Sequence, residues 1–264
     1  MYRIRFHGRG GQGMKTAGRI LGTAFFLEGF EVQDSPRYGA ERRGAPLTSA
    51  VRAARSPIYE RGIILKPDLV VVADDTLVPI PVAGVLQGVE DRTAIIIDSE
   101  ISEPEWHQRL QINSVIHTLP APKELDRAEL PYVGSLCAGA AARLTGVISR
   151  ASLEQAVREE LHDFKDSVVQ ENIERALSGF DLLADYEGTV MENTDPPALN
   201  YQPPEWIELT NESVNLAGPA IHGAATSVEV RTGLWRTMRP IIELGHCNKC
   251  TWVCGSFCPD SAIS

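Results

Sequence analysis

No run of apolar residues in this 264-residue sequence approaches the ~20 needed to span a bilayer. Basic charge is also short. Lys and Arg number 25 against 35 Asp and Glu, a net charge of -10. A general nucleic-acid binder needs a basic surface to displace counterions, so that class is excluded. No targeting segment is visible, because the chain enters directly on a strand-like pattern. Cysteine is scarce too: there are five, and four of them fall within residues 247–258. Clustered cysteines without a secretion signal point to a reducing cytoplasm rather than to a disulfide scaffold. The remaining composition is ordinary for a soluble globular protein, with 43% hydrophobic and 23% charged residues. The length suits one α/β domain plus a smaller appendage.

Residues 2–6 (YRIRF) alternate as a short strand does, and residues 15–27 read as a helix. Between them Gly8, Gly10 and Gly13 satisfy G-x-G-x-x-G. Strand, glycine turn and helix together point backbone N–H groups and a helix dipole at an anion. A dinucleotide site expects in addition an acidic residue about 20 positions on, and Asp34 stands near that place. The following stretch, residues 35–44, is unlike the end of a nucleotide-binding strand. The glycines therefore carry two readings: an anion cradle, or a tight turn with close helix packing. Arg37, Arg42 and Arg43 form a basic, glycine-flanked loop. It reads either as solvated charge or as a forked contact to phosphate or carboxylate.

Residues 47–53, 68–73, 93–98 and 115–119 read as strands. Two of them, 68–73 and 93–98, are continuous apolar runs of the kind buried on both faces. Helices are expected around 76–86, and then over 134–148, 153–161 and 166–186. Alternating strands and helices imply an α/β fold, a mostly parallel sheet with helices on both faces. Asp74, Asp75 and Asp98 fall at strand ends and read as turn or capping residues. Ser152 with Gln155 suggests a capping box for the helix that follows. Cys137, in a run of small residues, reads as a small buried apolar side chain. Residues 191–204 contain Asp195-Pro196-Pro197 and Gln202-Pro203-Pro204, an extended linker. The expected division is an α/β domain over 1–190, a linker over 191–204 and an appendage over 205–264.

In the appendage, Cys247, Cys250, Cys254 and Cys258 are spaced C-x2-C-x3-C-x3-C-P. Bacterial ferredoxin halves carry C-x2-C-x2-C-x3-C-P, where the fourth thiolate reaches a neighbouring cluster. One residue too many separates Cys250 from Cys254. Zinc sites usually pair their ligands across a longer span, so an iron–sulfur ligand set leads and zinc follows. Soft thiolates suit both metals. Disulfides or a buried cysteine cluster are the bland readings. Trp252 and Phe257 would shield the sulfurs from water, one of the levers on potential. His222 and His246 lack ligand spacing.

Both ends of the chain resemble parts of one complex. Residues 5–13 (RFHGRGGQG) and 38–46 (YGAERRGAP) look like the gamma subunit of 2-oxoacid:ferredoxin oxidoreductases. Residues 232–242 (TGLWRTMRPII), followed by the cysteines, resemble the delta subunit of the same enzymes. The resemblance covers residues 1–186 as gamma and 205–264 as delta, a fused subunit with a small ferredoxin-like iron–sulfur segment at its C-terminal end. It implies a complex that decarboxylates a 2-oxoacid on thiamine diphosphate with Mg2+, transfers the acyl unit to coenzyme A, and passes electrons singly to ferredoxin or flavodoxin. The carbon chemistry would lie in alpha and beta partner subunits, leaving this chain no catalytic residue. Its implied part is an anion site at Gly8, Gly10, Gly11, Gly13, Arg42 and Arg43, for coenzyme A or facing a partner, together with [4Fe–4S] ligation by the four cysteines. The second cysteine set of a two-cluster ferredoxin is missing from these 264 residues, so the ferredoxin-like part is expected to be incomplete. Pyruvate is the first expectation for substrate, with branched-chain 2-oxoacids, 2-oxoglutarate and oxalate open. Two rivals stand beside this reading. One is a stand-alone NAD(P)-linked oxidoreductase using the glycine turn, and the other is a zinc-stabilised interaction module.

Overall fold

The period-2 pattern at the start of the chain runs further than its apolar residues show. Strand β1 (Tyr2–Arg9) is buried along its whole length. Tyr2, Ile4 and Phe6 enter the main apolar core, while Arg3, Arg5, His7 and Arg9 are buried on the opposite face. The computed structural model describes residues 1–37, 44–120, 133–193 and 245. After β1 come α1 (Met14–Leu27), β2 (Glu31–Arg37), β3 (Pro46–Ala54), β4 (Leu69–Val72) and β5 (Ala94–Asp98). They are followed by α2 (Glu103–Leu110), β6 (Ile116–Leu119), α3 (Gly134–Thr145), α4 (Arg150–Glu160) and α5 (Asp166–Leu182).

The strands form one sheet in the order β2-β3-β1-β4-β5-β6. The ladders from β1 through β4 and β5 to β6 are parallel, whereas β3 runs antiparallel to both its neighbours. The sheet is therefore mixed: the expected parallel arrangement holds on one side, and a hairpin completes the other. The expected cover is also uneven. Helices α1, α3, α4 and α5 bury one face together with Leu69, Val71 and Ile96. Over β4 to β6, the other face is covered by Leu77, Val78 and Ala83 from short turns and by Trp106 of α2. Full burial of each such aliphatic or aromatic side chain contributes roughly 1.5–3 kcal/mol.

Several elements depart from the sequence reading for local reasons. The helix expected around 76–86 is replaced by two 3-10 turns, Asp75–Leu77 and Pro81–Ala83. Pro79 and Pro81 supply no N–H there, and Gly84 leaves the second turn at a φ of 63°. Strand β2 was not anticipated because its sequence, EVQDSPR, is polar and it lies at the sheet's edge. Helix α2 escaped too, since Trp106 is its one buried residue. The cap of α4 is Ser149, whose hydroxyl accepts from Ser152 N at 3.1 Å, so the capping serine lies three residues before the expected one. The small residues of α3 serve a helix contact as well as the sheet. A Cβ on Gly139 would lie 1.8 Å from Ala176 O, and one on Gly179 would lie 2.1 Å from Leu136 O. Among the described residues no helix is long and apolar enough to cross a membrane. The linker and the 205–264 segment lie outside the described residues, apart from Met191, Glu192, Asn193 and Gly245.

Candidate functional site

The chain leaves β1 toward the helix layer, through α1, and leaves the adjacent β4 toward the opposite face, through the 3-10 turns. The carboxyl ends of these two parallel strands therefore make a topological switch point, where open α/β sheets hold ligands. The glycine motif sits there. Gly8 is the last small residue within β1, where a Cβ would press to 2.5 Å from Met14 Cγ. Gly11 and Gly13 have φ values of 104° and 81°, a region that disfavours side chains. The turn is closed by Gln12, which the sequence reading passed over. Its Oε1 accepts from Arg9 N at 2.7 Å, and its Nε2 donates to Ala73 O at 3.3 Å.

Two helices begin at this turn. Gly13 caps α1 from a left-handed conformation with no side-chain hydrogen bond, and Val133 likewise leaves α3 without a side-chain cap. Gly134 abuts the turn so closely that a Cβ would lie 2.5 Å from Gly13 O. The first turns of two helices and their positive dipole ends thus converge, an arrangement that stabilises an anion. Arg9 is not available to that anion. Its Nε donates to Asp74 Oδ2 at 2.7 Å and its Nη2 to Thr76 Oγ1 at 2.7 Å, tying β1 to the loop after β4.

Asp74 caps the first 3-10 turn, accepting from Thr76 N at 3.0 Å, whereas Asp75, inside that turn, accepts from Ser99 Oγ at 2.6 Å beyond the end of β5. Asp98 is different. It ends β5 almost fully buried, and its Oδ1 has no partner. Burial, with Asp75 and Asp74 adding like charge, pushes its pKa up to about 7. Cys137 is wholly buried in the helix layer, and burial first, then Asp98, raises its thiol pKa, so it is not a nucleophile.

The structure separates Asp34 from the role a dinucleotide would need. It lies on β2, with antiparallel β3 between that strand and β1. Its Oδ1 would stand 3.6 Å from a Cβ on Gly18, beside α1. Arg42 and Arg43 lie outside the described residues. The chain is described again from Gly44, where Gly44 N donates to Gly10 O at 3.0 Å and Gly10 N to Ala45 O at 2.9 Å, so Gly44 and Ala45 are tied to the glycine turn. Cys247, Cys250, Cys254 and Cys258 are also outside the described residues. Among the described residues no group of three or more His, Cys, Asp or Glu is arranged to hold a metal ion.

The Thermococcus litoralis protein called "Pyruvate/ketoisovalerate oxidoreductases common subunit gamma" is 35% identical over 189 residues, covering 71% of this chain and 100% of the relative. The pyruvate synthase subunit PorC of Methanosarcina barkeri is 37% identical over 159 residues, 60% of this chain and 85% of the relative. The crystal structure of pyruvate oxidoreductase subunit PORC from Thermotoga maritima superposes with a TM-score of 0.55 at 26% identity, over 68% of this chain and 95% of that one. Residues 3–182 match the family described as "Pyruvate ferredoxin/flavodoxin oxidoreductase", and the chain belongs to that family.

Proposed function

We propose that this chain is a gamma-type subunit of a coenzyme A-dependent 2-oxoacid:ferredoxin oxidoreductase, with residues 205–264 adding a delta-type iron–sulfur relay. The observation that carries the first half is the glycine turn, held at the switch point where α1 and α3 begin, in a chain of this family. The relatives' name, a common subunit gamma, implies companion subunits. Alpha and beta subunits bearing thiamine diphosphate and Mg2+ would supply the decarboxylation.

Within such a complex, coenzyme A brings the acyl-accepting thiol. The part left to this chain is binding. First-turn N–H groups of α1 and α3 hold phosphate oxygens, Gly11 and Gly13 let the backbone approach, and Arg42 and Arg43, which precede Gly44 in the sequence, add guanidinium forks. The four clustered cysteines are the chemistry an iron–sulfur centre requires, and a [4Fe–4S] cluster there would store and release single electrons. Pyruvate is the proposed substrate, and ferredoxin or flavodoxin the acceptor.

Reconstitution with alpha and beta partners tests this reading. Coenzyme A-dependent reduction of ferredoxin by pyruvate is expected only when this chain is present. Replacing both arginines (Arg42→Ala with Arg43→Ala) should raise the KM for coenzyme A by tenfold or more, since a hydrogen bond to a charged group is worth about 1.5–3 kcal/mol. Full activity without the chain, or an unchanged KM in the double variant, removes the proposal.

A further inference from the structure

Asp98 ends β5 at the level of the glycine turn. His7, Val72 and Ile97 stand in one row across β1, β4 and β5, so Gly8 and Asp98 fall in the row above. Strand alternation places both on one face of the sheet. Phe6 and Ile96 belong to the helix-side core, as does Leu119, which pairs with Asp98 from β6. Asp98 therefore lies on the face where α1 and α3 begin, two strands away from Gly8. At ~4.8 Å per strand that separation is about 10 Å. Its charge is felt in the first turn of α3, where it adds to the burial that raises the Cys137 thiol.

Asp98 is 6% exposed and its Oδ1 has no hydrogen-bond partner. Burial of that kind favours the acid over the carboxylate. Its neighbours strengthen the bias. From the turn after β4, Asp75 and Asp74 add like charge. Asp75 accepts from Ser99 Oγ at 2.6 Å, and Asp74 accepts from Arg9 Nε at 2.7 Å. From α3 comes Cys137, an uncharged thiol. From β6 comes His117, whose pKa burial lowers even with a Glu103 oxygen 3.5 Å from its Nδ1. Burial first, then the two carboxylates, holds Asp98 at about 7, so its ionisation is poised to respond to further negative charge.

We propose, on the reading of the glycine turn as a coenzyme A site, that Asp98 is its proton-linked regulator: phosphate bound where α1 and α3 begin draws a solvent proton onto the Asp98 carboxyl. A phosphate there brings negative charge to on the order of 10 Å from a carboxyl already crowded by two others, and protonation relieves the repulsion. At the effective dielectric of a protein, a unit charge at ~10 Å changes a proton affinity by about tenfold. The coupling is reciprocal, so the anion binds about tenfold more tightly to the protonated chain than to the ionised one. Affinity is therefore highest below pH 7, where Asp98 is already protonated, and falls as pH rises through the pKa of the free and then of the liganded carboxyl. Release of the ligand returns the proton to solvent.

Calorimetric titration with coenzyme A of the chain assembled with alpha and beta partners tests this, at pH 6.5, 7.0 and 8.5 and in two buffers of different ionisation enthalpy. For wild type, the Kd should rise roughly sixfold from pH 6.5 to 8.5, and binding at pH 7 should take up roughly 0.4 proton. Asp98→Asn is uncharged throughout and should lose both effects. The ionisation of coenzyme A itself is common to the two proteins, so the difference between them is the measure. Thermal denaturation confirms that the variant is folded; if it is not, the uptake by wild type decides, and its absence overturns the proposal. The same pH slope and uptake in both proteins overturns the proposal while the coenzyme A reading stands. So does a change in affinity that is equal at every pH, which marks Asp98 as structural. No binding of coenzyme A at any pH overturns the reading and the proposal together.

Discussion

Replacing Asp98 by asparagine should flatten the pH dependence of folding stability. In the folded chain, burial and the charges of Asp75 and Asp74 raise this carboxyl from 3.8 to about 7. The folded state therefore binds a proton that the unfolded state has already released between these values. Stability is greatest below pH ~4 and falls as pH rises through 7. At ~1.4 kcal/mol per tenfold change in proton affinity, the whole window is worth ~4 kcal/mol, and the part between pH 5 and 7 roughly 2–3 kcal/mol. Asp98→Asn holds a neutral group in the same place and should escape that loss. Urea denaturation of both proteins at pH 5, 6, 7 and 8 measures the difference directly. Because Asp34, Asp68, Glu60 and His7 also have shifted pKa values, the informative quantity is the gap between the two curves. Parallel curves from pH 5 to 8 would show that Asp98 is ionised at no cost and refute the reasoning.

Two further substitutions probe the scaffold around the glycine turn. Gly139→Ala places a methyl 1.8 Å from Ala176 O, a backbone atom that cannot rotate away. The overpacking should cost about 3 kcal/mol, and the thermal midpoint should drop by about 6–12 °C; an unchanged midpoint would contradict the α3–α5 packing. Gly11→Ala, at a φ of 104°, should cost ~1–2 kcal/mol of stability and raise the KM for coenzyme A in the reconstituted complex. A KM equal to wild type, alongside that stability loss, would separate the turn from ligand binding.

The parts of the fold legible in the sequence were those whose residues answer to one strong local rule. The apolar runs of β4 and β5 are buried on both faces, and a strand of that kind has few alternatives. Strand β2 obeys no such rule, because its polar residues gain their order from the ladder with β3. Residues 76–86 carry helix-like apolar spacing that Pro79 and Pro81 overrule. At the site, the glycines announced a turn, but three of its supports depend on contacts distant in sequence. Gln12 reaches Ala73, Gly134 meets Gly13, and Arg9 binds Asp74. The alternation of β1 was visible, whereas the fate of its buried cations was not. Arg3 and Arg52 share Glu60 at 3.0 and 3.1 Å, and Arg5 finds only carbonyls.

The central claim joins a gamma-type body to an iron–sulfur relay on one chain, and the metal content of the assembled complex tests it most directly. The chain is purified anaerobically with co-expressed alpha and beta partners, analysed for iron, acid-labile sulfide and zinc, then reduced and examined by EPR. Cys254→Ser serves as the internal reference for the metal held by this chain. The account predicts about four irons and four sulfides assigned to the chain by that difference, with a reducible S = 1/2 signal. Zinc without sulfide, lost on the same substitution, would contradict the relay and leave a zinc-stabilised interaction segment in its place.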